Sequence, residues 1–197
     1  MTVLAELTGI VLAGGQSRRM GTDKAFVPID GVPMIQRVVE ALRTCCAEVV
    51  IVAKDRARYE GLGTRVVVDA SPQQLPLVGL CSGLAAVTTP WAFAAACDLP
   101  FLSARTVRLL SHFAVGFDAA VPHVDGRWHP LHAVYAAAAA PALEGRLAAG
   151  VRRLHEALEG LRVRAVTADD LRAADPHLRT LANINTPHQH RASGKIR

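Results

Sequence analysis

Short apolar runs alternate with segments of helical periodicity along most of this chain, and this alternation restricts the fold more than any other feature. The run Thr8–Leu12 ends at Gly14–Gly15, which is typical of a buried strand followed by a tight loop. Apolar residues then recur at helical spacing over 33–43, and a second apolar run follows at Glu48–Lys54. The opening of the chain therefore predicts a strand–loop–helix–strand unit.

The same alternation continues to the end of the chain. We predict further strands at 64–70, 117–124, 130–136 and 161–168, an apolar run at 91–100 that stops at Asp98, and helices at 77–87, 103–113, 136–150 and 151–159. Strands alternating with helices predict a single α/β domain with a mostly parallel, doubly wound, Rossmann-like sheet. We expect the domain to span residues 1–187. Residues 188–197 lack apolar periodicity and predict a flexible C-terminal tail.

Composition and charge narrow the class of partner. The 197 residues carry a formal net charge of +5, which suits acidic ligands such as phosphates. No run of five or more basic residues occurs, so no nucleic-acid partner is expected. The apolar runs are too short to span a membrane, and the N-terminus lacks a secretory pattern. We therefore predict a cytoplasmic protein without a membrane partner, and a core built mainly of Ala, Val and Leu.

Cysteine and histidine spacing gives no support for a metal centre built from these residues. The four cysteines are Cys45, Cys46, Cys81 and Cys97. They lack C-x-x-C spacing, which predicts small buried thiols. His123, His129 and His132 fall close together, but their spacing matches no helical zinc motif and Pro130 interrupts it. We expect these histidines to be solvated or to lie beside a site.

The segment "VLAGGQSRRMGTDKA" combines flexible backbone with three cations. Gly14 and Gly15 allow close approach of the backbone to a ligand, and exposed N–H groups in such a loop bind anions. Arg18, Arg19 and Lys24 add positive charge that can spread over several phosphate oxygens. The segment matches neither the Walker A pattern nor G-x-G-x-x-G. It predicts a phosphate-binding loop, and a glycine turn with solvated arginines is the alternative.

Carboxylates follow two further apolar runs. Asp98 ends the run "AFAAAC" and predicts a Mg²⁺ ligand, because hard cations bind carboxylate and phosphate oxygens together. The alternative, a cap for the following helix, is better met by Ser103. Two interpretations of Asp69 stay open. It accepts hydrogen bonds from the base or ribose of a nucleotide, or it is a turn residue before Ser71. Because ligands bind at the carboxyl ends of parallel strands, we expect both carboxylates to lie at one sheet edge with the glycine loop.

A nucleophile with a base partner is not evident in the sequence. No G-x-S-x-G elbow occurs, and Ser82 lies in an apolar helical stretch. This pattern argues against a hydrolase triad and agrees with phosphoryl-type transfer, in which the protein mainly positions groups and neutralises charge.

The same residues resemble a known family. The segment "LAGGQSRRMGTDKA" closely resembles the signature of the molybdenum cofactor guanylyltransferases, a branch of the nucleotidyltransferases with the motif L-A-[AG]-G-x-[SG]-x-R-[ML]-G and a downstream lysine. The resemblance continues through "GVPMIQRVVEAL", "VVVDAS", "PLVGLCSGL", "AACDLPFL", "HPLHAVY" and "NINTP". It spans nearly the whole chain and implies a single-domain sheet of the nucleotidyltransferase type.

The resemblance implies roles for individual residues. The nucleotide-binding residues would be Leu12, Ala13, Gly14, Gly15, Lys24, Asp69, Gly79 and Asp98. Lys24, Arg19 and Asp98 would be catalytic, with Asp98 binding Mg²⁺, and Gly79 would approach guanine. Relatives often carry an asparagine near the end of the second strand, where this chain has Ala53–Lys54. Asn183 and Asn185 also match family positions.

The implied reaction transfers GMP from Mg-GTP to molybdopterin-bound molybdenum, giving the guanine dinucleotide cofactor and pyrophosphate. The attacking phosphate monoester is ionised near neutral pH, so no strong general base is needed. This reading allows for transient contact with cofactor-synthesis proteins or acceptor molybdoenzymes. Two alternatives stay open: a cytidylyltransferase acting on molybdopterin or on a sugar or polyol phosphate, and a non-catalytic nucleotide-binding subunit. Gly15 argues against the first, while Lys24 and Asp98 argue against the second.

Overall fold

The computed structural model describes residues 4–13, 24–69, 71 and 73–183. Its strands are β1 (Leu4–Leu12), β2 (Pro28–Ile29), β3 (Val32–Pro33), β4 (Cys46–Ala53), β5 (Arg65–Val68), β6 (Trp91–Ala96), β7 (Ala119–Val124), β8 (Arg127–Trp128), β9 (His132–Ala136) and β10 (Val163–Val166). Its α-helices are α1 (Met34–Arg43), α2 (Pro76–Ala86), α3 (Ala104–Ala114), α4 (Ala140–Ala148), α5 (Leu154–Ala157) and α6 (Ala168–Arg172).

The central sheet has the strand order β10–β7–β9–β6–β1–β4–β5, with β8 paired to β7. The four strands β6, β1, β4 and β5 run parallel to one another. Strand β9 is antiparallel to both of its neighbours, and β10 is parallel to β7. The predicted mostly parallel α/β sheet is therefore confirmed. Strands β4 and β5 are added on one side of β1, and β6 is then added on the other side. The direction of strand addition reverses there, so a topological switch point lies between β1 and β6.

Helices cover both faces of the sheet and divide the core into two layers. Helices α1 and α3 pack on one face, where the buried stripe of α1 has the predicted helical spacing. The residues of this stripe are Ile35, Val38, Val39 and Leu42. Helices α2, α4 and α5 pack on the other face. From Leu7 to Leu12, strand β1 is buried from both sides, which explains the apolar run at its carboxyl end.

Helix α2 lies very close to the sheet because two of its residues are glycines. A Cβ atom at Gly83 would lie 2.7 Å from Cγ2 of Ile10 and 3.2 Å from Cγ2 of Val52. A Cβ atom at Gly79 would lie 3.0 Å from Cδ2 of Leu12. These glycines weaken the sequence signal for a helix, and the structure shows that they permit close helix–sheet packing.

Several elements differ from the sequence prediction. Strand β1 begins at Leu4 rather than at Thr8, and β5 is confined to Arg65–Val68. The helix predicted over 136–150 begins with a 3₁₀ turn, and only α5 and a second 3₁₀ turn form within 151–159. The hairpins β2–β3 and β7–β8 and helix α6 were not predicted. These elements are short, so local periodicity gives little signal for them.

None of the four cysteines, all of which lie in the described ranges, forms a disulfide bond. Cys45, Cys46 and Cys81 are buried, whereas Cys97 is half-buried. Burial raises the pKa of Cys81 to about 11. The proposed tail at 188–197 lies outside the described residues, and the domain boundary stays a prediction.

Candidate functional site

The carboxyl ends of the parallel strands β6, β1, β4 and β5 lie at one edge of the sheet, where backbone hydrogen bonds connect them. The N–H of Ala13, just after β1, donates to Val52 O at 2.9 Å. The N–H of Cys97, just after β6, donates to Leu12 O at 3.2 Å, and that of Asp69 donates to Ala53 O at 2.9 Å. The residues that follow β1, β5 and β6 therefore meet at one edge, as the strand-end argument predicts.

Lys24 and Asp98 are in direct contact at the switch point. The Lys24 ammonium donates to Oδ2 of Asp98, and the two side chains are only 14% and 17% exposed. Helix α3 is capped by Ser103, whose Oγ accepts from the N–H of Thr106 at 3.3 Å. Asp98 is therefore not needed as a helix cap. The structure brings together the cation and the carboxylate that the sequence analysis placed in one pocket.

The backbone around Lys24 is tied to the end of β1 by aromatic residues. Phe26 stacks on Tyr59 with ring centroids 5.5 Å apart and an interplanar angle of 22°. The Tyr59 hydroxyl donates to Ala13 O at 2.9 Å. Sequence reasoning missed Tyr59, because a tyrosine in the 57–62 turn carries no local signal of a contact with Ala13. This bridge restrains the turn that carries Lys24.

Lys54 organises the segment that follows β5. Its ammonium donates to Oδ2 of Asp69 at 2.8 Å and contacts the carbonyl oxygens of Asp69, Ser71 and Gln73. These are four acceptor oxygens, and an ammonium has three N–H donors, so all of its donors are engaged. Its place at the end of the apolar strand β4 was the signal in the sequence that could have marked Lys54 as a residue of this edge.

Asp69 is 8% exposed and is engaged through both carboxylate oxygens. Its Oδ1 accepts from the N–H of Ser71 at 3.1 Å, which forms the turn that the sequence offered as one alternative. Its Oδ2 accepts a hydrogen bond from the Lys54 ammonium. The structure therefore gives Asp69 a clear role in shaping this segment, and its nucleoside contact stays a prediction.

Leu12 and Gly79 lie side by side at this edge. Gly79 is buried, and the Leu12 side chain occupies the space that a Cβ atom at Gly79 would need. The N–H of Gly79 already donates to Leu75 O at 3.2 Å, within the first turn of α2. The predicted approach of Gly79 to guanine is not tested by these contacts.

The three histidines have different environments, and the first of the two predicted alternatives, solvation, does not hold for His132. His123 is exposed and His129 is half-buried, but His132 is only 1% exposed and is not solvated. Its Nε2 lies 3.2 Å from Oγ1 of Thr180, and its ring contacts Phe93 edge-on at 5.3 Å. Burial lowers the pKa of His132 to about 3, so the ring is neutral. The antiparallel strand β9 turns this side chain into the core.

Some predicted site residues lie outside the described residues: Gly14, Gly15, Arg18, Arg19 and Asn185. Asn183 is described and exposed. Within the described ranges, no three His, Cys, Asp or Glu side chains cluster closely enough to hold a metal ion by themselves. No helix in the described part of the chain is long and apolar enough to cross a membrane.

Comparison with known proteins defines the class. A family model described as "MobA-like NTP transferase domain" matches residues 9–165. The chain therefore belongs to the MobA-like NTP transferases, which are nucleotidyltransferase enzymes. Members of this class generally use a divalent metal.

Full-length relatives define the branch. The chain is 36% identical to the molybdenum cofactor guanylyltransferase of Desulfosudis oleivorans, covering 93% of this chain and 92% of that protein. It is 35% identical to a probable molybdenum cofactor guanylyltransferase of Chloroflexus aggregans, covering 95% and 93%. The crystal structure of molybdopterin-guanine dinucleotide biosynthesis protein A from Archaeoglobus fulgidus superimposes with a TM-score of 0.83 at 29% identity, covering 96% and 97%. The chain belongs to the molybdenum cofactor guanylyltransferase family.

Proposed function

We propose that this protein transfers the GMP moiety of GTP to the terminal phosphate of molybdenum-bound molybdopterin and releases pyrophosphate, in a Mg²⁺-dependent reaction. A phosphate oxygen of the acceptor attacks the α-phosphorus of GTP. The bond from the α-phosphorus to the bridging oxygen breaks, and that oxygen leaves with pyrophosphate. The family relatives named above support this reaction for the chain.

The contact between Lys24 and Asp98 is the observation that carries this proposal. Both side chains are mostly buried and lie at the switch point between β1 and β6. Ligands of open α/β sheets bind in the crevice at such a point. A mostly buried cation and carboxylate in direct contact there provide complementary groups for a triphosphate and a metal ion.

The chemistry of Asp98 suits Mg²⁺ rather than a softer metal. Mg²⁺ keeps several waters and is held by one or two carboxylates together with substrate phosphates, so a single protein carboxylate is sufficient. This agrees with the lack of a three-ligand cluster among the described residues. Bound there, Mg²⁺ would neutralise negative charge on the phosphates.

The remaining catalytic work belongs to the chain itself. Lys24 would bind phosphate oxygens and stabilise charge that develops on the leaving pyrophosphate. The backbone at Leu12 and Ala13 and the first turn of α2 at Gly79 would line the nucleotide. Arg19 would add positive charge beside the phosphates. No residue is required to remove a proton, because the attacking phosphate is ionised near neutral pH.

A nucleotide panel tests this function. Purified protein would be incubated with Mg²⁺, the molybdenum cofactor and GTP, CTP, ATP or UTP, and pyrophosphate release would be measured. We expect turnover with GTP to exceed turnover with the others by at least about tenfold, as a site that forms specific hydrogen bonds to its base would give. Preferred use of CTP would replace the guanylyl assignment by the cytidylyl alternative. A cytoplasmic location and transient contacts with acceptor enzymes stay predictions.

A further inference from the structure

Tyr59 contacts the chain before and after the glycine- and arginine-rich segment of the sequence. Its hydroxyl donates to Ala13 O at 2.9 Å, and Ala13 comes directly before that segment. Its ring stacks on Phe26, which ends the 3₁₀ turn Lys24–Phe26 that begins directly after the segment. One side chain therefore connects the end of β1 with the turn that carries Lys24.

The contact with Ala13 fixes a peptide group at the point where strand pairing stops. Strand β1 ends at Leu12, and the N–H of Ala13 still donates to Val52 O at 2.9 Å. Ala13 is buried, so its carbonyl oxygen needs a hydrogen-bond donor from within the protein. The Tyr59 hydroxyl is that donor. Ala13 is therefore held at the carboxyl edge of the sheet through both its N–H and its C=O.

The contact with Phe26 acts on the position of Lys24. The N–H of Val27 donates to Lys24 O at 3.2 Å, so the backbone of Lys24 is coupled to that of Phe26 within one closed turn. Ala25, between them, is only 1% exposed and packs in the same core layer as Tyr59. The stacked rings therefore restrain the backbone from which the Lys24 side chain extends.

The turn that carries Tyr59 has its own local hydrogen bonds. Tyr59 lies in the 3₁₀ turn Ala57–Leu62, between β4 and β5. The N–H of Ala57 donates to Oδ1 of Asp55 at 3.0 Å, and the N–H of Tyr59 donates to Arg56 O at 3.0 Å. The Tyr59 side chain is buried in the core layer beneath α1. It is therefore a fixed reference point for the two segments that it contacts.

A nucleoside triphosphate has to span the two places that Tyr59 connects. In the proposed reaction, the backbone at Leu12 and Ala13 lines the nucleotide and Lys24 binds phosphate oxygens. GTP contacts both only if their separation matches the length of its phosphate chain, and a misplacement of about 1 Å can cost about a hundredfold in rate. GMP lacks the β- and γ-phosphates, so its binding depends far less on this separation.

We propose that Tyr59 is a positioning residue that sets the distance between the Ala13 backbone and Lys24, and thereby the preference for a nucleoside triphosphate over the monophosphate. Because Tyr59 is buried, it acts through Ala13 and Phe26 rather than by contact with the substrate. This inference rests on the proposed function, since it assumes that the nucleotide lies between Ala13 and Lys24.

The two tyrosines of the chain provide a matched pair of variants. Tyr135 is fully buried in the other core layer, and its hydroxyl donates to Pro130 O at 2.7 Å. Tyr59→Phe and Tyr135→Phe therefore each remove one buried hydroxyl from a backbone carbonyl oxygen and keep the ring. The dissociation constants of GTP and GMP would be measured by calorimetric titration for both variants and the wild type at one Mg²⁺ concentration.

The affinity for GTP relative to GMP is the deciding quantity. In Tyr59→Phe this ratio should fall by about fivefold or more, as expected when a buried carbonyl loses its hydrogen bond. Tyr135→Phe should keep the wild-type ratio even where its unfolding temperature decreases. The ratio does not depend on the folded fraction, so a merely structural hydroxyl leaves it unchanged. A wild-type ratio in Tyr59→Phe, or an equal fall in both variants, would overturn the proposal.

Phe26→Leu tests the second contact, because it removes the stacked ring and keeps the Tyr59 hydroxyl. It should lower the same ratio. A wild-type ratio in Phe26→Leu would also overturn the proposal, since the hydroxyl contact with Ala13 does not by itself restrain Lys24. If the wild type binds CTP more tightly than GTP, the guanylyl assignment fails, and the affinity for CTP relative to CMP tests Tyr59 in the same way.

Discussion

The ammonium of Lys24 contacts the carboxylate of Asp98, although 74 residues separate them in the sequence. The contact forms because β1 and β6 are adjacent parallel strands whose carboxyl ends share one edge. Lys24 begins the 3₁₀ turn Lys24–Phe26, and Asp98 comes two residues after β6. The strand order therefore creates a mostly buried pair of opposite charges at the crevice where nucleotides bind in such folds.

Asp98→Asn should reduce pyrophosphate release by about a hundredfold or more, because an amide is a weak ligand for a hard cation and cannot balance its charge. Raising the Mg²⁺ concentration should restore part of the activity. A titration of turnover against Mg²⁺ measures both effects. Asp118→Asn is the matched control, since Asp118 pairs with Arg162 before β7, at the opposite edge. Full activity of Asp98→Asn at ordinary Mg²⁺ would contradict the metal assignment.

Lys24→Ala should weaken GTP binding by about tenfold to a hundredfold, which corresponds to the loss of charge-assisted hydrogen bonds to phosphate. GMP binding should weaken far less, because it lacks the β- and γ-phosphates. Calorimetric titration of both nucleotides provides the comparison. Arg65→Ala serves as a control, because Arg65 forms an exposed pair with Glu48. Equal losses for GTP and GMP would remove the triphosphate role of Lys24.

Lys54→Met should loosen the segment from Asp69 to Leu75, because the ammonium that joins three carbonyl oxygens and a carboxylate is lost. We expect a free energy of unfolding lower by about 1–3 kcal/mol, since Asp69 is left unpaired with little exposure. Hydrogen exchange should accelerate in this segment, and nucleotide affinity should fall with it.

Arg43→Met is the matched control for Lys54→Met. Arg43 donates to Leu62 O and Gly63 O at 2.9 and 2.8 Å, so it holds the chain entering β5 at the other end of the strand. Its loss should reduce stability without changing nucleotide affinity. Identical effects of the two variants on affinity would refute a specific role for Lys54.

Gly83→Ala should lower the melting temperature, although alanine is the better helix former. The added methyl would meet Ile10 at 2.7 Å in a packed layer, and overpacking costs about 1–3 kcal/mol, which exceeds the helix-propensity gain of about 1 kcal/mol. Gly145→Ala in α4 is the control, because no atom lies within 4 Å of its added Cβ and the variant should be stabilised. A stabilised Gly83→Ala protein would show that α2 can move away from β1.

Removal of His132 should change the pH dependence of stability. Its pKa falls from 6.5 to about 3 on folding, so the unfolded chain takes up the proton first as the pH decreases. The stability is fully present above about pH 6.5 and declines towards pH 3, by up to about 1.4 kcal/mol per pH unit. His132→Gln should show a shallower decline in thermal unfolding between pH 7 and 5. The exposed His112→Gln should retain the wild-type slope, and equal slopes for all three proteins would disprove this role.

Much of the fold was predictable because local periodicity reports which face of a segment is buried. The spacing of Ile35, Val38, Val39 and Leu42 gave α1, and the apolar run before Gly14 gave the end of β1. Ser103 was correctly predicted as the cap of α3. The strand-end rule also placed Asp69 and Asp98 at one edge of the sheet.

Other features depend on contacts between distant segments, for which no local pattern exists. The Tyr59 hydroxyl on Ala13 and the three carbonyls around Lys54 form only when separate loops meet. The burial of His132 follows from the antiparallel insertion of β9 between β6 and β7, which local spacing does not reveal.

The sequence by itself determined the alternation of strands and helices and which polar residues end the apolar runs. Only the tertiary structure decided which of those residues touch, and that the Lys54 ammonium is bound by Asp69 and by backbone carbonyl groups of the segment after β5. The physical reason is that periodicity encodes the burial of one segment at a time. Strand order and close helix packing emerge from the joint burial of all segments, and they set the distances between side chains.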